Sequence, residues 1–149
     1  MATQINTIVL KGMGHYDEGV ADAAIYPGQA VTLAADGKYD PATGTQAANL
    51  KGGLKIAVED AIQGKTVEDA YAAADILFFY SPLPGDHIHA LVKSGEDIDV
   101  GEKLVVEAGG SGYFIASATT ETKFQLEALE DSGGALAAAT LIRCRVLAP

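Results

Sequence analysis

The spacing of glycine and proline is the feature that most restricts how this chain can fold. Its 149 residues include 17 glycines and 5 prolines. Turn signals such as Tyr26-Pro27-Gly28-Gln29 and residues 81–86 recur between short apolar runs. Proline presets φ and glycine accepts positive φ, so each of these sites favours a tight turn. Short strands joined by frequent turns are typical of a small barrel or sandwich and not of alternating βαβ units.

Apolar and β-branched runs predict about nine short strands. They cover residues 4–10, 30–33, 54–59, 76–80, 88–92, 103–107, 112–117, 123–129 and 140–147. In residues 54–59, strict alternation places Leu54, Ile56 and Val58 on one face of the strand. We therefore expect a mainly β fold, a small barrel or sandwich with one short helix and long loops.

One segment between the predicted strands indicates the short helix. Thr66 fits the N-cap position before residues 67–74, and acidic residues in the first turn would complement the helix dipole. Two other segments predict irregular structure. Residues 11–22 are polar and contain glycine, which favours a loop, and residues 40–44 carry a turn signal.

The charge balance argues against two classes of partner. The 20 acidic and 10 basic residues give a formal net charge of −10. Nucleic-acid binding requires a basic surface that neutralises phosphates, and an anionic membrane surface attracts basic segments. The longest apolar run, residues 76–80, is too short to span a bilayer, and the N-terminus shows no signal-peptide pattern. We expect neither nucleic acid nor a membrane as a partner.

Two histidines form a pattern that points to a transition metal. His87 and His89 are two residues apart, so on a strand their side chains would share a face and could present two imidazoles to zinc. Asp86 is adjacent, and His15 is a further candidate ligand. No His-x-x-x-His or Glu-x-x-His spacing completes the set, which favours a solvated or subunit-interface pair.

No motif assembles into an active site. Gly109-Gly110-Ser111-Gly112 does not satisfy the Gly-x-Ser-x-Gly pattern, and Gly12-x-Gly14 lacks the later glycine of a dinucleotide loop. Adjacent acidic residues are frequent but mostly stand next to glycine or predicted turns, which is typical of solvated loops. We expect no catalytic residue, no metal and no cofactor, so the sequence does not predict an enzyme.

The single cysteine has two interpretations. Cys144 lies in an alternating segment, which predicts a buried strand residue. A reactive thiol is the alternative, because Arg143 and Arg145 flank Cys144 and would lower its pKa. One cysteine excludes an internal disulfide.

Apolar residues in predicted loops suggest contacts between proteins. Ile25, Tyr26, Leu83 and Tyr113 are candidates for a subunit interface, where aromatic residues concentrate. The β-branched N-terminus, residues 2–8, either adds a strand to the sheet edge of a neighbour or pairs within its own sheet.

Several runs of the chain occur in an order that resembles a known family. They are residues 25–33 (IYPGQAVTL), 52–59 (GGLKIAVE), 64–71 (GKTVEDAY) and 85–104, the last a strand, a glycine, an acidic turn and Gly-x-x-Leu. Over roughly residues 20–117 the chain resembles the capsid decoration proteins of tailed bacteriophages, also called cement or head-stabilising proteins.

The resemblance implies a β-tulip-like domain over residues 20–149, preceded by an N-terminal strand or arm over residues 1–19. It implies a location on the outer capsid surface of the virion, where copies, as trimers at three-fold positions, bridge subunits of the major capsid protein and stabilise the expanded head. The arm and the apolar loops then supply the predicted capsid- or subunit-binding residues, which are Thr3, Gln4, Ile5, Asn6, Thr7, Ile8, Tyr26, Leu83 and Tyr113.

Two other functions remain open from the sequence. A structural protein of the phage tail or baseplate would also be rich in β-structure and oligomeric. A small metal-dependent β-barrel protein would use His87 and His89.

Overall fold

A computed structural model describes residues 5–43, 53–117 and 126–148. Within these ranges the chain forms eleven short strands and a single-turn 3-10 helix, Ala61–Gln63. The strands, β1 to β11 in chain order, are Val9–Lys11, His15–Val20, Val31–Leu33, Tyr39–Pro41, Ile56–Ala57, Ile76–Ser81, His87–Val92, Lys103–Val106, Phe114–Ala116, Leu126–Ala128 and Thr140–Val146. The mainly β fold expected from the turn spacing is therefore confirmed.

The largest sheet closes on itself as a barrel. Its strand order is β1-β7-β11-β10-β8-β9, and β7 also pairs with β9. The closing pair is parallel and joins Val92 to Phe114, whereas the other pairs in this sheet are antiparallel. Strands β7, β11, β10, β8 and β9 thus form a five-stranded barrel, and β1 is an additional strand beside the start of β7.

One edge of β7 is completed by three separate parts of the chain. Every second amide along this edge donates to a carbonyl of one of these parts. The amide of His89 donates to Ile8 at 2.7 Å, and that of Leu91 donates to Gly28 at 2.9 Å. The amide of Lys93, which directly follows β7, donates to Phe114 at 3.0 Å. The N-terminal segment, the turn before β3 and strand β9 are therefore all fastened to β7.

Alternate residues of the barrel strands fill its interior. On β7 and β11 the inward residues are all buried, and they are Ile88, Ala90, Val92, Ile142, Cys144 and Val146. This period of two is the pattern expected for strands with one face in a core. Cys144 is fully buried, which confirms the first interpretation of that residue.

A second layer lies against the barrel. Strands β2, β6 and β5 form a three-stranded sheet, and β3 pairs with β4 as a hairpin. They enclose a smaller apolar cluster, which contains Ala21, Ile25, Val31, Ala57, Tyr71, Leu77 and Phe79. The ring of Tyr39 packs on Phe79 at a centroid distance of 4.6 Å.

The helix expected over residues 67–74 is absent, and that prediction was wrong. The backbone of Tyr71 instead exchanges two hydrogen bonds with Ile25, at 2.8 and 3.1 Å. The Tyr71 ring is buried, and its hydroxyl donates to the carbonyl of Val58 at 2.7 Å. A bridge to a distant segment and burial of a large ring override local helix propensity here.

The loop expected over residues 11–22 was also wrong in part. His15–Val20 is a strand, because its backbone pairs with β6 along all six residues. The turn expected over residues 40–44 overlaps the edge strand Tyr39–Pro41, where the proline stands at the strand end, as its missing N–H requires.

Several strands are shorter than expected. The N-terminal strand spans Val9–Lys11 rather than residues 4–10, and the strand expected over residues 54–59 spans only Ile56–Ala57. Leu126–Ala128 lies within the predicted residues 123–129, of which 123–125 fall outside the described residues. Across the described part of the chain, no helix has the length and hydropathy needed to cross a bilayer.

Candidate functional site

An apolar groove brings together three residues that the sequence proposed for partner contact. Its volume is about 530 Å³, and Ile5, Tyr26 and Tyr113 line it. The other lining residues are Pro27, Val67, Glu68, Leu91, Ala139, Thr140 and Leu141. Tyr26 is 44% exposed at this site, although it is a large aromatic residue. A concave apolar surface with exposed tyrosine is the kind of surface at which protein partners anchor.

The turn that carries Tyr26 is fastened to the barrel by backbone contacts. Gly28 adopts φ +93°, and its carbonyl accepts the amide of Leu91 at 2.9 Å. A side chain at Gly28 would overlap Leu141. Glycine at this turn therefore allows its close approach to Leu91 and Leu141, which both line the groove.

Gln29 connects the two tyrosines, and sequence reasoning missed its role. Its side chain is buried, with Oε1 accepting the amide of Tyr26 at 2.6 Å and Nε2 donating to the carbonyl of Ser111 at 2.6 Å. Ser111 is two residues before Tyr113. One buried amide thus holds both aromatic walls of the groove, and no local pattern could reveal a contact between positions 29 and 111.

An ion pair further fixes the loop before Tyr113. Glu107 binds Lys93 on one side and accepts a hydrogen bond from the Ser111 hydroxyl on the other. The hydrogen bond from Lys93, followed by that from Ser111, holds the pKa of Glu107 below its usual value. The loop is therefore fixed through both the hydroxyl and the carbonyl of Ser111.

The N-terminal segment runs from the groove to the core. Ile5 lines the groove, the carbonyl of Thr7 lies 2.8 Å from Nδ1 of His89, and Asn6 between them is exposed. Ile8 is fully buried, and its amide donates to Glu59 at 3.0 Å. The side chain of Ile8 thus anchors the segment to the barrel, while Thr3 and Gln4 lie outside the described residues.

The other two predicted interface residues lie outside the groove. Leu83 is 46% exposed in the turn between β6 and β7, so its side chain is available for contact. Ile25 is fully buried in the smaller cluster, and its prediction as an interface residue was wrong. Its backbone bridge to Tyr71 explains the burial.

The two histidines do lie on one strand, but their neighbours do not form a metal site. His87 is paired with Lys11 on one side and Arg145 on the other, and both cations oppose a bound metal ion. His89 is nearly buried, and its Nδ1–H donates to the Thr7 carbonyl because a carbonyl can only accept. Among the described residues, no group of three or more His, Cys, Asp or Glu side chains is arranged to hold a metal.

The environment of Cys144 disfavours a thiolate. Burial, followed by the charge of Glu130, raises the pKa of Cys144 to about 12. The flanking arginines do not offset these effects, since Arg143 and Arg145 are exposed whereas the thiol points into the barrel. A reactive role for this residue is therefore not favoured.

Comparisons with known proteins give a fold likeness. No protein-family model matches the chain, and no curated protein matches it. Among solved structures it is similar to the N base of head fiber gp8.5 in bacteriophage phi29, with a TM-score of 0.55 and 11% identity. The match covers 90% of this chain and 94% of that one. The two chains therefore share a fold over nearly their whole lengths.

Proposed function

We propose that this chain is a structural protein of a bacteriophage virion, which binds the outer surface of the capsid. One observation carries the proposal: nearly the whole chain shares its fold with the base of a phage head fiber. The resemblance of roughly residues 20–117 to capsid decoration proteins points in the same direction.

The finer role that we propose is stabilisation of the expanded head. The protein bridges neighbouring subunits of the major capsid protein and itself assembles as a trimer at three-fold positions. A bridge of this kind requires modest contacts repeated over many copies, so that the combined binding exceeds that of any one contact. Tyr26 and Tyr113 supply anchors, and Leu83 supplies a second apolar contact on a separate turn.

No reaction is part of this proposal. Among the described residues, the carboxylates whose pKa lies below its usual value are engaged in structural contacts. Glu107 contacts Lys93 and Ser111, and Glu127 contacts Lys103 and Arg145. Asp69 accepts hydrogen bonds from Thr66, and Asp86 accepts them from Tyr80, Leu83 and Met13. The fiber protein is named for the phage head, which favours a head component over the tail or baseplate alternative.

Addition to undecorated heads tests the proposed function. Purified protein is mixed with expanded phage heads that lack decoration, and the pelleted particles are imaged by cryo-electron microscopy. We expect added density at three-fold or quasi-three-fold positions on the outer surface. Folded protein that leaves the heads bare but labels purified tails would overturn the proposal in favour of the tail alternative.

A further inference from the structure

A row of charged side chains crosses the outer face of the barrel. Strand pairing places its members side by side, and in order from β1 to β8 they are Lys11, His87, Arg145, Glu127 and Lys103. On the last four strands of this order the row points outward, because the adjacent positions are buried in the interior, namely Ile88, Cys144, Leu126 and Leu104. Neighbouring strands lie about 4.8 Å apart, so the row extends roughly 19 Å across the sheet.

The cations on this part of the barrel exceed the carboxylates beside them. Arg145 and Lys103 share one carboxylate, that of Glu127, at 3.0 and 2.5 Å. Arg143 points outward from β11 as well, and Glu130 accepts its backbone amide at 2.6 Å. We call four side chains the basic face, and they are Lys11, Lys103, Arg143 and Arg145. The basic face thus carries four of the ten basic residues of the chain next to two carboxylates.

Two cations of the basic face have no ionic partner. Across residues 5–43, 53–117 and 126–148, neither Lys11 nor Arg143 forms an ion pair, and both are exposed. The chain has 20 acidic residues for its 10 basic ones, so carboxylates are in excess. A local surplus of cations on an acidic protein attracts and orients an anionic surface.

The basic face adjoins the apolar groove. Three successive outward pairs join β7 to β11, and they are Leu91 with Leu141, His89 with Arg143, and His87 with Arg145. The first pair lines the groove, so Arg143 follows it at about 7 Å along the strand. Protein interfaces commonly combine an apolar centre with a polar rim in which arginine is enriched. The groove and the basic face together have this arrangement.

We infer that the basic face binds exposed carboxylates of the partner protein that occupies the groove. The partner surface places apolar side chains between Tyr26 and Tyr113, and it places aspartate or glutamate side chains on Arg143 and Lys11. A guanidinium group can hold a carboxylate through two parallel hydrogen bonds, which suits Arg143 to this contact. The inference rests on the proposed function for the partner's identity, a subunit of the major capsid protein.

Two other anionic occupants fit the basic face less well. A long polyanion would extend past the basic face onto the rest of a chain whose net charge is −10, and it would be repelled there. A second copy of the chain carries the same net charge, so two copies also repel each other. A local group of carboxylates on another folded protein avoids most of this repulsion.

Charge reversal at the two unpaired cations tests the inference. We expect Lys11→Glu and Arg143→Glu each to lower the affinity for expanded, undecorated heads about tenfold at low salt, with a smaller loss at high salt. Neither change removes an ion pair, so the melting temperature should be retained. Lys38→Glu makes the same charge change on the β3–β4 hairpin, outside the barrel sheet, and is the matched control.

Amidation of the heads tests the chemistry of the partner. A carbodiimide with ethanolamine converts exposed carboxylates of the heads into neutral amides. We expect amidated heads to bind the unmodified protein about tenfold more weakly and to distinguish it no longer from Arg143→Glu.

The possible outcomes separate the inference from the proposed function. Absence of any binding of the unmodified protein to untreated heads would refute the proposed function. Binding in which Lys11→Glu and Arg143→Glu match Lys38→Glu, or in which amidation has no effect, would overturn the carboxylate contact alone. Self-association without heads that is lost in Arg143→Glu would assign the basic face to a second copy and would also overturn the inference.

Discussion

The hydroxyl of Tyr80 donates a hydrogen bond of 2.6 Å to the carboxylate of Asp86, and both residues are buried. The same carboxylate accepts the amides of Leu83 at 2.9 Å and Met13 at 3.1 Å. The Tyr80 oxygen in turn accepts the amide of Gly14 at 2.7 Å. This pair therefore joins the connection between β1 and β2 to the turn that presents Leu83.

Removal of the Tyr80 hydroxyl should loosen this junction. In Tyr80→Phe, Asp86 loses a donor and the amide of Gly14 loses its acceptor, so we expect the free energy of unfolding to fall by about 1–3 kcal/mol. Tyr16→Phe is the matched control, because Tyr16 is exposed and stacks on the same ring. Urea unfolding measures both variants, and equal stability of the two would contradict this role for the hydroxyl.

The carboxylate of Asp86 makes the free energy of unfolding depend on pH. Burial raises the pKa of Asp86, but hydrogen bonds from Tyr80, Leu83 and Met13 outweigh that effect, so the net pKa lies below its ordinary value of 3.8. A folded-state pKa below the unfolded value contributes stability that is present above the unfolded pKa and lost as pH falls through the folded one.

We therefore expect the free energy of unfolding to decline below about pH 5, with Glu107 and Glu127 acting in the same direction. Asp86→Asn should be less stable at neutral pH and should show a shallower decline. Urea titrations between neutral and acidic pH give both quantities. An unchanged acid slope in Asp86→Asn would show that other groups control the decline.

The two groove tyrosines should contribute to binding rather than to folding. We expect Tyr26→Ala and Tyr113→Ala each to lower affinity for undecorated heads at least about tenfold, as truncation of central aromatic anchors does. Val100→Ala removes a well-exposed apolar side chain on the turn before β8 and is the control. Sedimentation of labelled protein with heads measures the affinities. If Tyr26→Ala and Tyr113→Ala bound heads with the same affinity as Val100→Ala, the groove would not be the contact surface.

Gln29 should affect folding and binding together. In Gln29→Glu, the second carboxylate oxygen faces the Ser111 carbonyl in a buried site, where two acceptors cannot bond. We expect a loss of about 1–3 kcal/mol in unfolding free energy, with weaker head binding because Tyr26 and Tyr113 lose their common support. Thermal unfolding and the sedimentation assay report the two effects. Full stability in this variant would exclude the bridging role.

The buried thiol gives a measure of barrel opening. Because the pKa of Cys144 is raised to about 12, we expect no reaction with a thiol reagent at pH 8 in the folded protein, and full reaction in urea. Rapid labelling without denaturant would contradict the burial. Cys144→Ser provides the blank for the assay.

Turn signals and the alternation of apolar side chains made several barrel strands predictable from the sequence. Residues 88–92 and 140–147 were recognised because apolar side chains alternate along them, and both are barrel strands. Strand β2 was not predicted, because His15–Val20 contains two acidic residues and a glycine. Its extended conformation comes from pairing with β6. Tyr71 likewise pairs with Ile25 instead of forming the helix that its local sequence predicts.

Three residues that line the groove could be predicted from the sequence, but the groove itself could not. The sequence predicts Ile5 as part of the N-terminal arm and Tyr26 and Tyr113 as apolar loop residues. The approach of the two tyrosines depends on Gln29 and Gly28. A hydrogen bond between Gln29 and Ser111, 82 positions apart, has no signature in local sequence. The missing third ligand already argued from the sequence against a metal at His87, whereas the positions of Lys11 and Arg145 beside it follow from strand register.

The way in which β7 is completed has a consequence for biosynthesis. Its two edges require the N-terminal segment, the turn at Gly28, strand β9 and strand β11. A ribosome delivers these pieces in order, and β7 cannot be enclosed until Thr140–Val146 has emerged. Such non-local pairing makes folding slow relative to chains with local contacts. The apolar inner face of β7 therefore stays exposed from the time Val92 emerges until Thr140–Val146 has followed it.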